Sequence, residues 1–350
     1  MSSKKKGSMS ENLHEKKTRV GFTNPAPVYP GTSFASDTYQ SLGVDNKFDI
    51  NDLMSNLKIK IIDYKPKEGL LVFDLIGVDA PVANAFRRIL LSEIPTMAIE
   101  HVWIHNNTSI IQDEVLAHRL GLIPIKVDPR KFEFKKPGEE ETDETTLVFK
   151  LKVRCTRSNN TNPQNPEEAY VNSKVYSRDL IWEPVGGQAE LFADDPPRPV
   201  HDDILIAKLR PGQEIEVECR CAKGEGKEHA KWSPVSTAYY RLLPDIKFVK
   251  DFKGQEAKKL VAKCPMNVFD IEDSGKAYVK NQRNCTMCRE CIREDGWDKR
   301  IKLLRVKDHF IFSIESTGIL PPNVLFEEAV KVFMAKCHTV LTELDNLHAQ

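Results

Sequence analysis

The segment from Asp79 to Ile125, reading DAPVANAFRRILLSEIPTMAIEHVWIHNNTSIIQDEVLAHRLGLIPI, limits what this chain can fold into more than any other. Pro81 stands where a helix tolerates a missing N–H, and Asp79 just before it favours the positive helix end. Val82, Phe86, Ile89 and Leu90 follow at helical spacing until Pro95 stops the run. The spacing predicts an amphipathic helix over Asp79–Leu91. Asn84, Arg87 and Arg88 lie on or beside its apolar stripe, so one flank is doubly cationic. Composition alone makes that flank a solvated face.

A second helix is predicted over Asn323–Leu347, announced by Pro321-Pro322. Phe326, Val330, Phe333, Cys337, Val340, Leu344 and Leu347 step by 4, 3, 4, 3, 4 and 3, which is a heptad seam. Leu325, Ala329 and Leu341 widen it. A stripe that wide on a terminal helix has to be covered, by its own domain or by a partner helix.

Between the helices the pattern has a period of two. Leu57, Ile59 and Ile61, then Leu71, Phe73 and Leu75, read as a hairpin turning at Pro66–Gly69. Leu147, Phe149, Leu151, Val153 and Cys155 alternate with basic residues. Ile215, Val217, Cys219 and Cys221 alternate with Glu214, Glu216, Glu218 and Arg220. Both read as half-buried strands, with the three cysteines as small core side chains. Residues 1 to about 48 are polar, with Lys4-Lys5-Lys6 and several prolines, and read as a mobile tail.

Lysine plus arginine equals aspartate plus glutamate at 51 each, which speaks against a dedicated nucleic-acid grip. No apolar run reaches membrane-spanning length, and the N-terminal segment lacks the apolar core of a signal peptide. No phosphate-cradling glycine loop, H-E-x-x-H or clustered magnesium-holding aspartates occur, so the chain is expected to catalyse nothing by itself. His101 and His105 fall in a stretch that reads as strand, where a spacing of four does not make them neighbours.

Four cysteines remain. Cys264-Pro265 is followed by Cys285-Thr-Met-Cys288-Arg-Glu-Cys291. In a two-cluster ferredoxin one cube is held by the Cys-Pro of the first motif and the C-x2-C-x2-C of the second. Those four residues stand here in that order. The complementary set is erased, with Gly254, Ala257, Leu260 and Asp295-Gly296 in its places. The spacing points to one 4Fe–4S cluster; zinc, or no metal at all, is the alternative. Residues 254–296 look poor in apolar sequence, so metal is expected to stabilise that segment.

Asn84-Ala-Phe-Arg-Arg-Ile-Leu, Asn107-x-Ser109 and Asp113-Glu114-x-Leu116-Ala117-x-Arg119-Leu120-Gly121 together resemble the D/α-like assembly subunits of multisubunit RNA polymerases. His201-Asp-Asp-Ile-Leu-Ile-Ala, Arg210-Pro-Gly, Lys231-Trp-Ser-Pro-Val-Ser-Thr-Ala and Asp308-His-Phe-Ile-Phe-Ser-Ile-Glu-Ser-Thr-Gly continue the match downstream. Within that family the chain is most similar to the branch shared by RNA polymerases I and III; the branches of RNA polymerase II and of archaea are the alternatives.

The resemblance implies an α+β fold with an α-like dimerisation domain (55–106 and 297–350), a mobile lead-in over 1–54, an inserted β-rich domain over 107–240 and a small ferredoxin-like segment over 250–296. It implies a non-catalytic subunit that pairs with a small α-like subunit and docks the two large catalytic subunits, with no sequence-specific nucleic acid and no membrane. The implied partner-binding residues are Asn84, Phe86, Arg87, Arg88, Phe326, Val330, Phe333, Cys337, Val340 and Leu344. Cys264, Cys285, Cys288 and Cys291 are the implied metal ligands, and a nuclear location including the nucleolus follows. An iron–sulfur redox sensor on the same scaffold is the reading from a different class.

Overall fold

A computed structural model describes residues 15, 18–28, 49–136, 138–158 and 169–348. The lysine triplet, most of the expected tail and residues 159–168 lie outside them. In chain order the strands used below are β1 (Arg19–Phe22), β2 (Pro27–Val28), β3 (Lys58–Lys65), β4 (Leu70–Ile76), β5 (Thr96–Asn107), β6 (Thr146–Arg154), β7 (Ile181–Glu183), β8 (Leu205–Lys208), β9 (Glu214–Gly224), β10 (Val235–Phe248) and β11 (Ile301–Ser316). The helices are α1 (Ile50–Asn56), α2 (Ala80–Ser92), α3 (Asp113–Gly121), α4 (Gln255–Lys263) and α5 (Pro322–His348). Both long helices fall within a residue or two of the lengths the spacing predicts.

The chain divides into two compact units. One comprises Met1–Ile62, Val72–Ala83 and Tyr240–Phe312, the other Asp63–Leu71, Asn84–Tyr239 and Ser313–Gln350. The long strands β3, β4, β10 and β11 give residues to both.

The first unit is built on a sheet of order β2-β1-β11-β4-β3, with β10 also paired to β11. Phe73 stacks on Phe312 with centroids 5.4 Å apart, and Tyr240 meets Phe310 edge-on at 5.1 Å. Residues 19–22 and 27–28 are strands here, where the composition suggested tail. β1 pairs antiparallel with β11 from Arg19↔Val306 to Phe22↔Leu303. Arg19 ties the strand to Asp245 at 2.8 Å, and Arg305 lies over the Phe22 ring. So short a strand is held by its partner's ladder, the burial of Val20 and these charges, which composition does not register.

The cysteine-bearing segment belongs to this unit and corrects a second expectation. It has an apolar core of its own: Phe252, Ala257, Leu260, Val268, Phe269, Ala277, Ile292 and Trp297 are buried together. Phe252 and Trp297 meet edge-on at 5.0 Å. Burial on that scale supplies folding free energy without metal. One buried charge joins this segment to the sheet. Asp74 on β4 receives both terminal guanidinium nitrogens of Arg283 at 3.0 and 2.6 Å, and His309 Nε2 lies 3.1 Å away.

The second unit holds a sheet of order β7-β6-β9-β5. β5 pairs with β9 along its whole length, from Thr96↔Gly224 to Asn107↔Ile215. β5, which the expected boundary at 107 assigns to the dimerisation domain, shares its ladder with strands from far downstream. Its core buries Met97, Ile99, Leu116, Leu120, Leu147, Phe149 and Leu151 together with Cys155, Cys219 and Cys221. Burial pushes the Cys219 thiol up to about 12, as befits an apolar core side chain. The short hairpin-like prediction for Leu57, Ile59 and Ile61 fares differently: β4 is mostly buried, whereas every residue of β3 except Asp63 is exposed.

Candidate functional site

Helices α2 and α5 meet in the second unit around one aromatic ring. Phe86 sits 5.4 Å from Phe326 and 5.4 Å from Phe333, tilted against the first and edge-on to the second. Lys336 pairs with Glu93 just beyond them. The inner face of α5 is set by Leu325 and Ala329, both with no exposed surface. Phe326, Val330 and Phe333 are half-buried beside them. The heptad seam is thus the flank of the buried face, not its centre.

After Phe333 the cover ends. Met334 is 65% exposed, Val340 59%, Leu344 46% and Leu347 67%, and Cys337 is exposed among them. About half of a long helix presents apolar side chains to solvent on the face that carries the seam. Contiguous exposed apolar surface of that kind marks an interaction site. Isolated exposed leucines would need no such reading.

The cationic flank divides into two roles. Arg87 Nε donates to Asn84 Oδ1 at 3.0 Å and is half-buried, so this pair stiffens the helix face. Arg88 is exposed, with no hydrogen bond or ion pair of its side chain among the described residues. It alone of the two offers an unengaged fork.

Several motif residues turn out to build the scaffold. Asn107 Nδ2 donates to Asp113 Oδ1 at 2.7 Å and to the Ile111 carbonyl at 2.9 Å, while its Oδ1 accepts from Ser109 N and Oγ. That lock sets the start of α3. Arg119 spends its guanidinium on the Ile206 and Leu205 carbonyls at 3.0 and 2.6 Å, fastening α3 to β8. Trp232 Nε1 donates to the Ala222 carbonyl at 3.0 Å, and Gly224 leaves room for the indole ring. The apolar side chains exposed at α3 are Val115, Leu122 at its C-cap and, in the loop before it, Ile110 at 85% exposure.

The four remaining cysteines lie in the first unit. Cys264 ends α4, and Cys285, Cys288 and Cys291 follow in one loop. Met287 and Arg289 take left-handed conformations at φ 61° and 65°, which curl the loop, and the Met287 N–H points at Cys285 Sγ at 3.4 Å. Cys264, Cys285 and Cys291 border the same apolar core. Burial raises the Cys285 thiol, and the neighbouring Cys288 and Cys264 raise it further. Burial with Cys285, Cys288 and Cys264 pushes Cys291 up to about 12. Among the described residues, no three His, Cys, Asp or Glu side chains are grouped to hold a single metal ion.

Residues 72–337 match the family described as the RNA polymerase Rpb3/Rpb11 dimerisation domain. The chain belongs to that family. It is 51% identical over 343 residues to the Dictyostelium discoideum protein named DNA-directed RNA polymerases I and III subunit rpac1, covering 97% of each chain. The Mus musculus subunit RPAC1 is 52% identical over 309 residues, covering 87% of this chain and 89% of that one. The Saccharomyces cerevisiae subunit RPAC1 is 44% identical over 303 residues, covering 85% and 90%. The α+β dimerisation fold expected from the motifs is the family's fold, and this member is a DNA-directed RNA polymerase subunit.

Proposed function

We propose that this chain is the non-catalytic assembly subunit of DNA-dependent RNA polymerases I and III, in the nucleus including the nucleolus. It pairs with a small α-like subunit through α2 and α5 and docks the two large subunits through Arg88 and the exposed side of α3. One observation carries the reading: from Met334 onward α5 keeps its apolar seam, and among the described residues nothing covers it. A helix with this face exposed favours a second helix over water by roughly 1.5–3 kcal/mol per large side chain fully covered. Arginine suits the other contact because its planar fork holds carboxylates and carbonyls in pairs.

Arg88→Glu tests the division of labour. The side chain is exposed and unengaged within the described residues, so the fold and the heterodimer are expected to survive. Recruitment of a large subunit in pull-downs is expected to fall by about tenfold or more, the loss of one charged interface contact. Undiminished recruitment would remove Arg88 from the docking face.

A second element of the reading is that Cys264, Cys285, Cys288 and Cys291 hold one 4Fe–4S cluster. Cys264, Cys285 and Cys291 bordering one apolar core, with left-handed turns and an N–H directed at sulfur, support it. When bound, the cluster would draw the thiols into thiolate form; the chain's own part is to shield them from water and fix their spacing. Anaerobically purified protein is expected to be brown with thiolate-to-iron charge-transfer absorption. A colourless protein with one zinc per chain would overturn the cluster.

A further inference from the structure

Residues 50–62 carry an exposed surface that the helix pair does not explain. Strand β3 closes the order β2-β1-β11-β4-β3, so among the described residues β4 is its one ladder neighbour and its other edge is unpaired. Lys58, Ile59, Lys60, Ile61 and Ile62 are all exposed, Ile59 at 55% and Ile61 at 65%. Side chains alternate along a strand, so both faces as well as the edge are open. Long apolar edge strands invite pairing, and proteins ordinarily hide or blunt them.

The element just before β3 is equally bare. Helix α1 has seven residues, none buried, and shows Ile50 at 54% and Met54 at 65% one turn apart. A helix that short does not hold itself by propensity. It is fixed locally instead. The Asp49 carboxylate accepts from Asn51 N at 2.7 Å, and the Leu57 N–H closes on the Leu53 carbonyl at 2.9 Å. Gly77, at φ +82°, packs so closely on the Asn56 carbonyl that no Cβ would fit there. The bare surface is therefore positioned, not frayed.

We infer that this edge of β3, with Ile50 and Met54 of α1 beside it, receives an extended strand from another subunit of the assembled polymerase, one that alternates apolar and acidic residues. The inference rests on the assembly reading above. Charge selects the occupant. Lys58 and Lys60 share one face of the strand and Ile59 and Ile61 the other. A second copy of β3 would set lysine against lysine, which opposes pairing, whereas acidic residues opposite the lysines favour it. Backbone hydrogen bonds along the open edge would supply affinity and the alternating side chains the choice of partner.

The test compares the full chain alone with the assembled polymerase by hydrogen–deuterium exchange, together with zero-length carbodiimide cross-linking of the polymerase. Exchange of the peptide covering 58–62 is expected to slow by about tenfold or more on assembly, since a new ladder protects the outward amides. Lys58 or Lys60 is expected to cross-link to an aspartate or glutamate of another subunit. A Lys58→Glu/Lys60→Glu chain should lose that cross-link and its slow exchange, while the charge-preserving Lys58→Arg/Lys60→Arg chain keeps the slow exchange. Unchanged exchange at 58–62 would overturn the inference. So would slow exchange already present in the chain alone, which would mean a segment of this chain or a second copy sits there. The peptide covering 334–347 is read in the same experiment. Protection there without protection at 58–62 overturns the strand alone; protection at neither overturns the assembly reading as well.

Discussion

Phe333→Asp combined with Val340→Asp is expected to abolish pairing with the small α-like subunit, so that the two proteins elute separately on gel filtration. Phe333 lies edge-on to Phe86 at the last covered turn of α5, and Val340 stands two turns further on at 59% exposure. Together they span the change from a face shielded by the chain itself to one left open. A carboxylate in the covered seam would have to be desolvated without a cation to meet it, which costs several kcal/mol. Interface anchors of this size contribute about 2 kcal/mol or more each, so the pair of changes should raise Kd by about a thousandfold. Phe333 also supports the packing of α2 on α5, and its loss alone could weaken the fold. Val340→Asp separates the effects: its side chain is exposed, so thermal stability of the isolated chain should stay unchanged while the heterodimer weakens. A normal heterodimer from the double variant would remove α5 from the interface.

Asp74→Ala is expected to be among the most destabilising single changes in the first unit. The carboxylate is 6% exposed and holds Arg283 through both oxygens, with His309 beside it. Removing it leaves a cation partly buried and uncompensated, a loss of about 3 kcal/mol. It also unfastens the loop that leads into Cys285, so loading of the proposed cluster should fall with stability. Burial pushes the Asp74 carboxyl up, but hydrogen bonds from Arg283 and His309 and their charges outweigh it and hold the net value below the ordinary 3.8. A depressed value in the folded state means the contribution is complete above the ordinary carboxylate range and is lost as pH falls through the folded value. The parent protein should therefore lose stability in acid more steeply than Asp74→Ala, and the difference between their urea midpoints should shrink below about pH 4. Midpoints that differ equally at neutral and acid pH would contradict this role.

The sequence carried the two helices and the burial of Cys155, Cys219 and Cys221, and the reason is local. Proline stops, helical spacing and clean alternation fix α2, α5, β6 and β9 whatever surrounds them. Periodicity does not say which neighbour covers a stripe. The seam through Phe326, Val330 and Phe333 looked like the centre of the buried face, yet Leu325 and Ala329 take that place and the seam flanks it. The same limit hid the exposure of Ile59 and Ile61, whose alternation is indistinguishable from that of a half-buried strand. Motif matching located Asn107, Ser109, Asp113 and Arg119 but not their work, which is to lock a turn and a helix in place. The spacing of Arg87 and Arg88 likewise gave no hint that one is engaged by Asn84 and the other unengaged. Strand β1 escaped notice because its stability comes from residues near 303–306, far away in the chain.

Cys337 offers a direct reading of whether α5 is completed by another molecule, since it lies exposed on the open half of the seam. Alkylation of the full chain with iodoacetamide, followed by mass spectrometry of the peptide carrying Cys337, compares the isolated chain with its complex with the small α-like subunit. Rapid labelling alone and labelling slowed by about tenfold or more in the complex is the expected result. Equal labelling of Cys337 in both states would contradict the covering of α5 by a partner.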